Sequence, residues 1–199
     1  MSRIAIVDSG GANIASLLYA FERLGVNAEL TTNADTIRSA DRVILPGVGA
    51  ARDAMNRLTE ARLVDVIRTL SQPVLGICLG MQLLCEASEE EDVDCLGIIP
   101  GVARKLRVEP DYPVPNMGWC STSLRANHPV LDGFEDGSWF YYGHSYAVPV
   151  SECTLATARH TGEFSASVYK DLFIAAQFHP ERSSRAGASL LGRFLEWQI

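Results

Sequence analysis

The chain has 199 residues, 47% of them hydrophobic and 21% charged, and a formal net charge of −7. That length suits one domain with a substantial core. The acidic balance, without a basic arm or stripe, argues against nucleic acid as the principal partner. No apolar run approaches the roughly 18 residues of a membrane helix, so no membrane association is expected.

Ile4-Ala5-Ile6-Val7 reads as a short buried strand. It follows Met1-Ser2-Arg3 directly, without the layout of a secretory signal, and a cytoplasmic location is expected. The turn Asp8-Ser9-Gly10-Gly11-Ala12-Asn13 leads into apolar positions Ile14, Leu17, Leu18, Phe21 and Leu24, a helical spacing that stops at Gly25. Strands are predicted over 28–31 and 43–45, with a short helix over 34–40 between them. Pro46-Gly47-Val48-Gly49 is a turn ahead of a long helix over 50–70, then a buried strand over 73–77 and a helix over 79–87. Strands separated by helices of this length imply parallel pairing in a layered α/β sheet.

Beyond about residue 95, β-branched and aromatic runs such as Trp139-Phe140-Tyr141-Tyr142 alternate with Gly, Pro, Asn and Asp. They predict antiparallel strands and hairpins added to the parallel sheet. A last strand spans 173–178, and Ser183 or Ser184 can cap a closing helix that runs to about Trp197. No repeat, low-complexity tract or linker divides the chain, so a single domain over 1–199 is expected.

Five cysteines, Cys78, Cys85, Cys95, Cys120 and Cys153, contain no Cys-x-x-Cys pair, which suits neither a disulfide framework nor a zinc site. Four of them read as reduced structural thiols. Cys78 lies in Gly76-Ile77-Cys78-Leu79-Gly80, at a strand-to-helix junction where flanking glycines relieve the crowding of a sharp turn. Free amides and the dipole at the helix start favour the thiolate there.

A cysteine nucleophile needs a base, and the chain has four histidines. His128 and His160 read as solvent-facing, and His144, in Gly143-His144-Ser145-Tyr146, as a structural or site-lining residue. His179 follows the last strand and precedes Pro180, so it shares with Cys78 a position past the carboxyl end of a strand, where open α/β sheets bind ligands. Glu181 can accept its far ring N–H and fix the tautomer. The turn at Gly47, Val48 and Gly49, with the amide of Leu79, can present N–H groups to a developing oxyanion. No cluster is spaced to bind a metal or an organic cofactor.

Taken in order, Pro46-Gly47-Val48-Gly49, Gly76-Ile77-Cys78-Leu79-Gly80-Met81-Gln82 and Gln177-Phe178-His179-Pro180-Glu181-Arg182-Ser183 resemble the class I (triad) glutamine amidotransferases. The resemblance implies flavodoxin-like layering, with Cys78 as nucleophile, His179 as acid and base and Glu181 as its orienting carboxylate. It also implies L-glutamine as substrate, held in part by Gln82, with His144, Ser145 and Tyr146 nearby, and no cofactor.

A narrower resemblance, carried by Asp8–Asn13, Val114-Pro115-Asn116-Met117-Gly118-Trp119 and Phe140-Tyr141-Tyr142-Gly143-His144-Ser145-Tyr146, is to the glutaminase subunits of imidazole glycerol phosphate synthases. Asn116, Cys120 and Gly143 depart from that pattern, where His, Asn and Val are more usual. This resemblance implies a (βα)₈-barrel cyclase as partner and ammonia delivered to it for histidine biosynthesis. The docking candidates are then Asn13, Met117, Trp119, Tyr141 and Arg182. Two alternatives stand beside it: the ammonia-donor subunit of an anthranilate or aminodeoxychorismate synthase, and a non-catalytic regulatory subunit on the same fold. Asp8–Asn13 and Met117–Trp119 count against the first, and the complete Cys78, His179 and Glu181 set against the second.

Overall fold

The structure, a computed structural model, describes residues 2–10 and 14–198, so the docking candidate Asn13 lies outside the described residues. In chain order the elements are β1 (Ile4–Val7), α1 (Ile14–Arg23), β2 (Ala28–Thr31), α2 (Ala34–Ser39), β3 (Arg42–Leu45), α3 (Ala51–Glu60), α4 (Val64–Arg68), β4 (Val74–Ile77) and α5 (Leu79–Leu84). There follow β5 (Ala87–Ser88), β6 (Val93–Asp94), β7 (Val102–Lys105), β8 (Asn116–Leu124), β9 (Ser138–His144), β10 (Tyr146–Ala147), β11 (Thr154–Arg159), β12 (Glu163–Lys170), β13 (Phe173–Ala176) and α6 (Ser184–Glu196).

A strand covered on both faces must be apolar at every position. β1, β4 and β13 meet that demand, with each of their residues buried. Their side chains alternate between two cores. Ile4, Ile6, Ile44, Leu75, Ile77, Ile174 and Ala176 face α1 and α6. Ala5, Val7, Val43, Leu45, Val74, Phe173 and Ala175 face the other layer, with α2 to α5. The main sheet has the order β2-β1-β3-β4-β13-β12-β11-β8-β9. Its first five strands are parallel, and from β12 onward the pairing is antiparallel. A separate small sheet joins β10, β7, β5 and β6. The α/β class and the added antiparallel region are thus as the sequence predicts.

The helix expected over 50–70 is two helices. Arg62 takes a left-handed φ of 57°, its amide bonds Thr59 O at 3.0 Å, and the Leu63 amide bonds Leu58 O at 2.8 Å. This closes α3 in a Schellman turn, with arginine where glycine usually sits, so the sequence carries no stop signal. The turn lets Leu63 bury fully in the helical-layer core. The helix expected over 79–87 ends at Leu84, because amides of a returning loop take its last carbonyls. Leu96 N bonds Leu83 O at 2.8 Å and Ile99 N bonds Leu84 O at 2.9 Å.

Other local expectations change as well. Ser183 occupies the N-cap position of α6, but its hydroxyl makes no cap bond. It donates instead to His179 O at 2.6 Å and accepts from Tyr141 N at 2.9 Å. His128 is buried rather than solvent-facing. Its Nδ1 accepts from Val130 N at 3.2 Å and its ring packs against Tyr169 and Trp197. His160 is half-buried, with Nε2 bonded to Pro113 O at 2.8 Å and its ring edge-on to Tyr112.

Candidate active site

The sheet decides which side chains can meet. Ile77 of β4 pairs with Ala176 of β13, and the next amide, Cys78 N, bonds Ala176 O at 2.8 Å. Cys78 and His179 therefore leave adjacent parallel strands at the same end, about one strand spacing apart. Cys78 sits at φ 53°, ψ −110°, a conformation few non-glycine residues adopt, costing on the order of 1–3 kcal/mol. The close approach of α5 to β3 holds it there. A Cβ on Gly80 would lie 1.8 Å from Leu45 O, so only glycine lets the helix start where it does. As the first residue of α5, Leu79 has an amide without an intrahelical acceptor, beside Cys78.

His179 is fixed on several sides. Its own amide bonds Tyr141 O at 2.9 Å, and its carbonyl accepts from Ser183 Oγ. Its Nδ1 lies 2.9 Å from Glu181 Oε1, with both side chains almost wholly buried. That contact leaves Nε2 on the side of Gly143, and the Cys78 sulfur is near enough to favour the protonated ring. Burial alone would lower the affinity of the ring for a proton. The Cys78 sulfur and the Glu181 carboxylate together outweigh burial and push the His179 pKa up to about 10.

In front of Cys78 opens a cavity of about 200 Å³, suited to a single small polar molecule. Val48, Gly49 and Leu79 form one wall, and His144, Ser145 and Tyr146 another. Gly49 holds a φ of 98°, which a side chain would disfavour. Gly47 lies behind this loop, in a smaller cleft of about 20 Å³ shared with His179 and Glu181. Gln82 lines the cavity with its amide oriented by bonds from Nε2 to Tyr146 O at 2.8 Å and to Gln177 Oε1 at 3.1 Å. His144 is neutral: burial lowers its pKa to about 4, and its Nδ1–H donates to Tyr146 O at 2.9 Å. Its Nε2 accepts from Asn116 Nδ2 at 3.3 Å, and Asn116 Oδ1 accepts from Cys120 Sγ at 3.5 Å. Gly143 lines the same cavity, where a Cβ would stand 3.9 Å from His179 Nε2.

Met117, Trp119, Tyr141 and Arg182 come together beside this cavity. Met117 faces Gly143 and Trp119 faces Tyr141 across the β8–β9 ladder. Met117 is 64% and Trp119 49% exposed, so Trp119 is no core aromatic. The Tyr141 ring meets Trp119 edge-on at 6.2 Å and carries the Arg182 guanidinium 4.2 Å from its centre. Trp139, 59% exposed on the same face of β9, extends the patch and is absent from the sequence-derived set. Glu90 is a second omission: it lines the cavity, and its Oε2 accepts from Ala51 N at 2.9 Å at the start of α3. One residue of the run Glu89-Glu90-Glu91-Asp92 could not be singled out without the fold. Gln177 is a third, its buried amide standing at the end of an apolar strand. That amide was the available signal, since burying one without partners is costly.

Comparison with known proteins gives the family. The family described as glutamine amidotransferase class-I matches residues 5–197. The imidazole glycerol phosphate synthase subunit HisH of Xanthomonas axonopodis pv. citri is 47% identical over 196 residues, 98% of each chain. HisH 2 of Legionella pneumophila (strain Lens) is 48% identical over 96% of each, and HisH of Haemophilus influenzae 47% over 98%. Among solved structures, one named for a GMP synthase of Thermoplasma acidophilum superposes with a TM-score of 0.77 at 18% identity, over 98% of this chain and 93% of that one. A crystal structure of a glutamine amidotransferase gives 0.75 at 17% identity over 97% of each, and both likenesses speak to the fold. The chain belongs to the class-I glutamine amidotransferases and, within them, to the family of imidazole glycerol phosphate synthase subunits HisH.

Proposed function

We propose that this chain, acting as one domain over 1–199, is the glutaminase subunit of an imidazole glycerol phosphate synthase. It hydrolyses L-glutamine at Cys78 and hands the ammonia to a (βα)₈-barrel cyclase in the cytoplasm, for histidine biosynthesis. The observation that carries the reading is the Cys78, His179 and Glu181 set, held just past the ends of two adjacent parallel strands, with Cys78 opening into one small cavity. The Cys78 sulfur attacks the side-chain amide carbon of glutamine. The oxyanion is met by amides of the Val48–Gly49 loop and of Leu79. Protonated His179 gives its proton to the nitrogen, the C–N bond breaks, ammonia leaves and a γ-glutamyl thioester remains. Water then loses a proton to His179 as it attacks the thioester, the C–S bond breaks and glutamate departs. Glu90 and the carbonyl oxygen of Gln82, on the cavity wall, suit the ammonium of an amino-acid substrate.

The test is labelling with a diazo-ketone analogue of glutamine in the presence of the cyclase, followed by mass mapping. Rapid labelling of Cys78 alone among the cysteines is expected. Labelling at Cys85 or Cys120 instead would remove the assignment.

A further inference from the structure

We propose that Gln177 is a further catalytic residue, whose side-chain N–H bonds the Cys78 sulfur and supports it as the attacking and departing thiolate. The inference rests on the reading of Cys78 as nucleophile. Gln177 is fully buried at the end of β13, where its neighbours are apolar, so its amide costs stability unless its polar atoms are met. Its Nε2 lies 3.7 Å from Cys78 Sγ.

Which end of that amide faces the sulfur follows from a chain of hydrogen bonds with one possible direction. It starts at Tyr146 O, a main-chain carbonyl that can only accept. Gln82 lies 2.8 Å from it and must present its NH₂. That group also meets Gln177 at 3.1 Å, so Gln177 must present its carbonyl oxygen there. Its NH₂ is then left for Cys78. His144 Nδ1–H, 2.9 Å from the same Tyr146 carbonyl, holds the starting point in place.

A thiol sulfur is a weak acceptor and a thiolate a strong one, so this bond gains strength when the proton leaves. It works against Gly143 O, 3.8 Å from Sγ, which suits the protonated thiol. Gln177 is not among the residues lining the substrate cavity, so its effect should fall on kcat and leave KM little changed. The groups that also bear on the sulfur are His179 with Glu181 behind it, and His144, Tyr146 and Glu90 around the cavity.

The test is Gln177→Met, which keeps the length and removes the donor. In the complex with the cyclase, kcat for glutamine should fall roughly 10- to 100-fold, as expected for a lost charge-assisted hydrogen bond, with KM within a factor of about two. In the full chain, the pH at which iodoacetamide alkylates Cys78 at half its maximal rate should move upward, a shift that loosened packing would not produce. An unmoved pH profile with wild-type kcat overturns the proposal. Should the variant fail to fold, wild-type chain with ¹⁵N-labelled glutamine side chains decides. The Gln177 NH₂ resonance should follow the ionisation of Cys78, and a resonance indifferent to it overturns the proposal. If Cys78 of the wild-type chain proves no more reactive than the other cysteines, the nucleophile reading fails instead.

Discussion

At the scale of single residues, His179 sits between opposing influences. Burial disfavours its positive charge, while the Cys78 sulfur and the Glu181 carboxylate favour it more strongly, and the pKa rises to about 10. In the proposed mechanism this is the proton that the departing nitrogen takes. Because the folded value is raised, protonated His179 adds stability that is full below the unfolded value of 6.5 and lost as pH climbs through about 10. NMR of the ring should find it protonated well above neutrality, and Cys78→Ala should move the midpoint down. Denaturation should show stability falling between pH 6.5 and 10, less so in that variant. A wild-type midpoint near 6.5 would mean the sulfur and carboxylate do not hold the ring as the geometry requires.

Among the elements, what the sequence revealed followed from what local signals can carry. β1, the turn at Pro46–Gly49 and the strand-to-helix junction at Cys78 were legible because apolar runs and glycines mark them. Cys78 and His179 could be put at one edge of the sheet because each follows the carboxyl end of an expected strand, while the pairing of those two strands is visible only in the fold. The break between α3 and α4 was not, since Arg62 takes the left-handed turn that glycine would announce. Nor was the early end of α5, decided by carbonyl partners from residues 96–99. The role of Ser183 was hidden for a similar reason. Its hydroxyl serves Tyr141 and His179, which only the curl of β9 back toward β13 brings near. The helix break gives a direct prediction. Arg62→Gly relieves a left-handed side chain on an exposed turn, worth about 1 kcal/mol against the greater freedom of glycine when unfolded. Tm should rise by about 2–4 °C in a calorimetric scan. A fall would show that Arg62 makes a contact worth more than the strain.

For the whole molecule, the site and the exposed patch form one surface. The proposed function requires the exit to be covered by the enzyme that uses the ammonia, because ammonia released into water at neutral pH becomes ammonium, which has no lone pair for attack. Met117 lines the cavity, and Trp119, Tyr141 and Arg182 continue from it on the outer face of β8 and β9. Aromatic and arginine side chains of this kind anchor interfaces. Because Trp119 is 49% exposed, Trp119→Ala should leave the fold intact and weaken association with the cyclase by ~2 kcal/mol or more in a calorimetric titration. Unchanged affinity would move the docking face elsewhere.

The most direct measurement separates making ammonia from using it. Cys78→Ala removes the proposed nucleophile and little volume, so the fold and the patch should survive. The complex of this variant with its cyclase should form no product from glutamine. It should form product from added ammonium salt, more at mildly alkaline pH, where more free ammonia is present. Product from glutamine would place the nucleophile elsewhere, and no product from ammonium beside an active wild-type control would contradict the account of this chain as an ammonia donor.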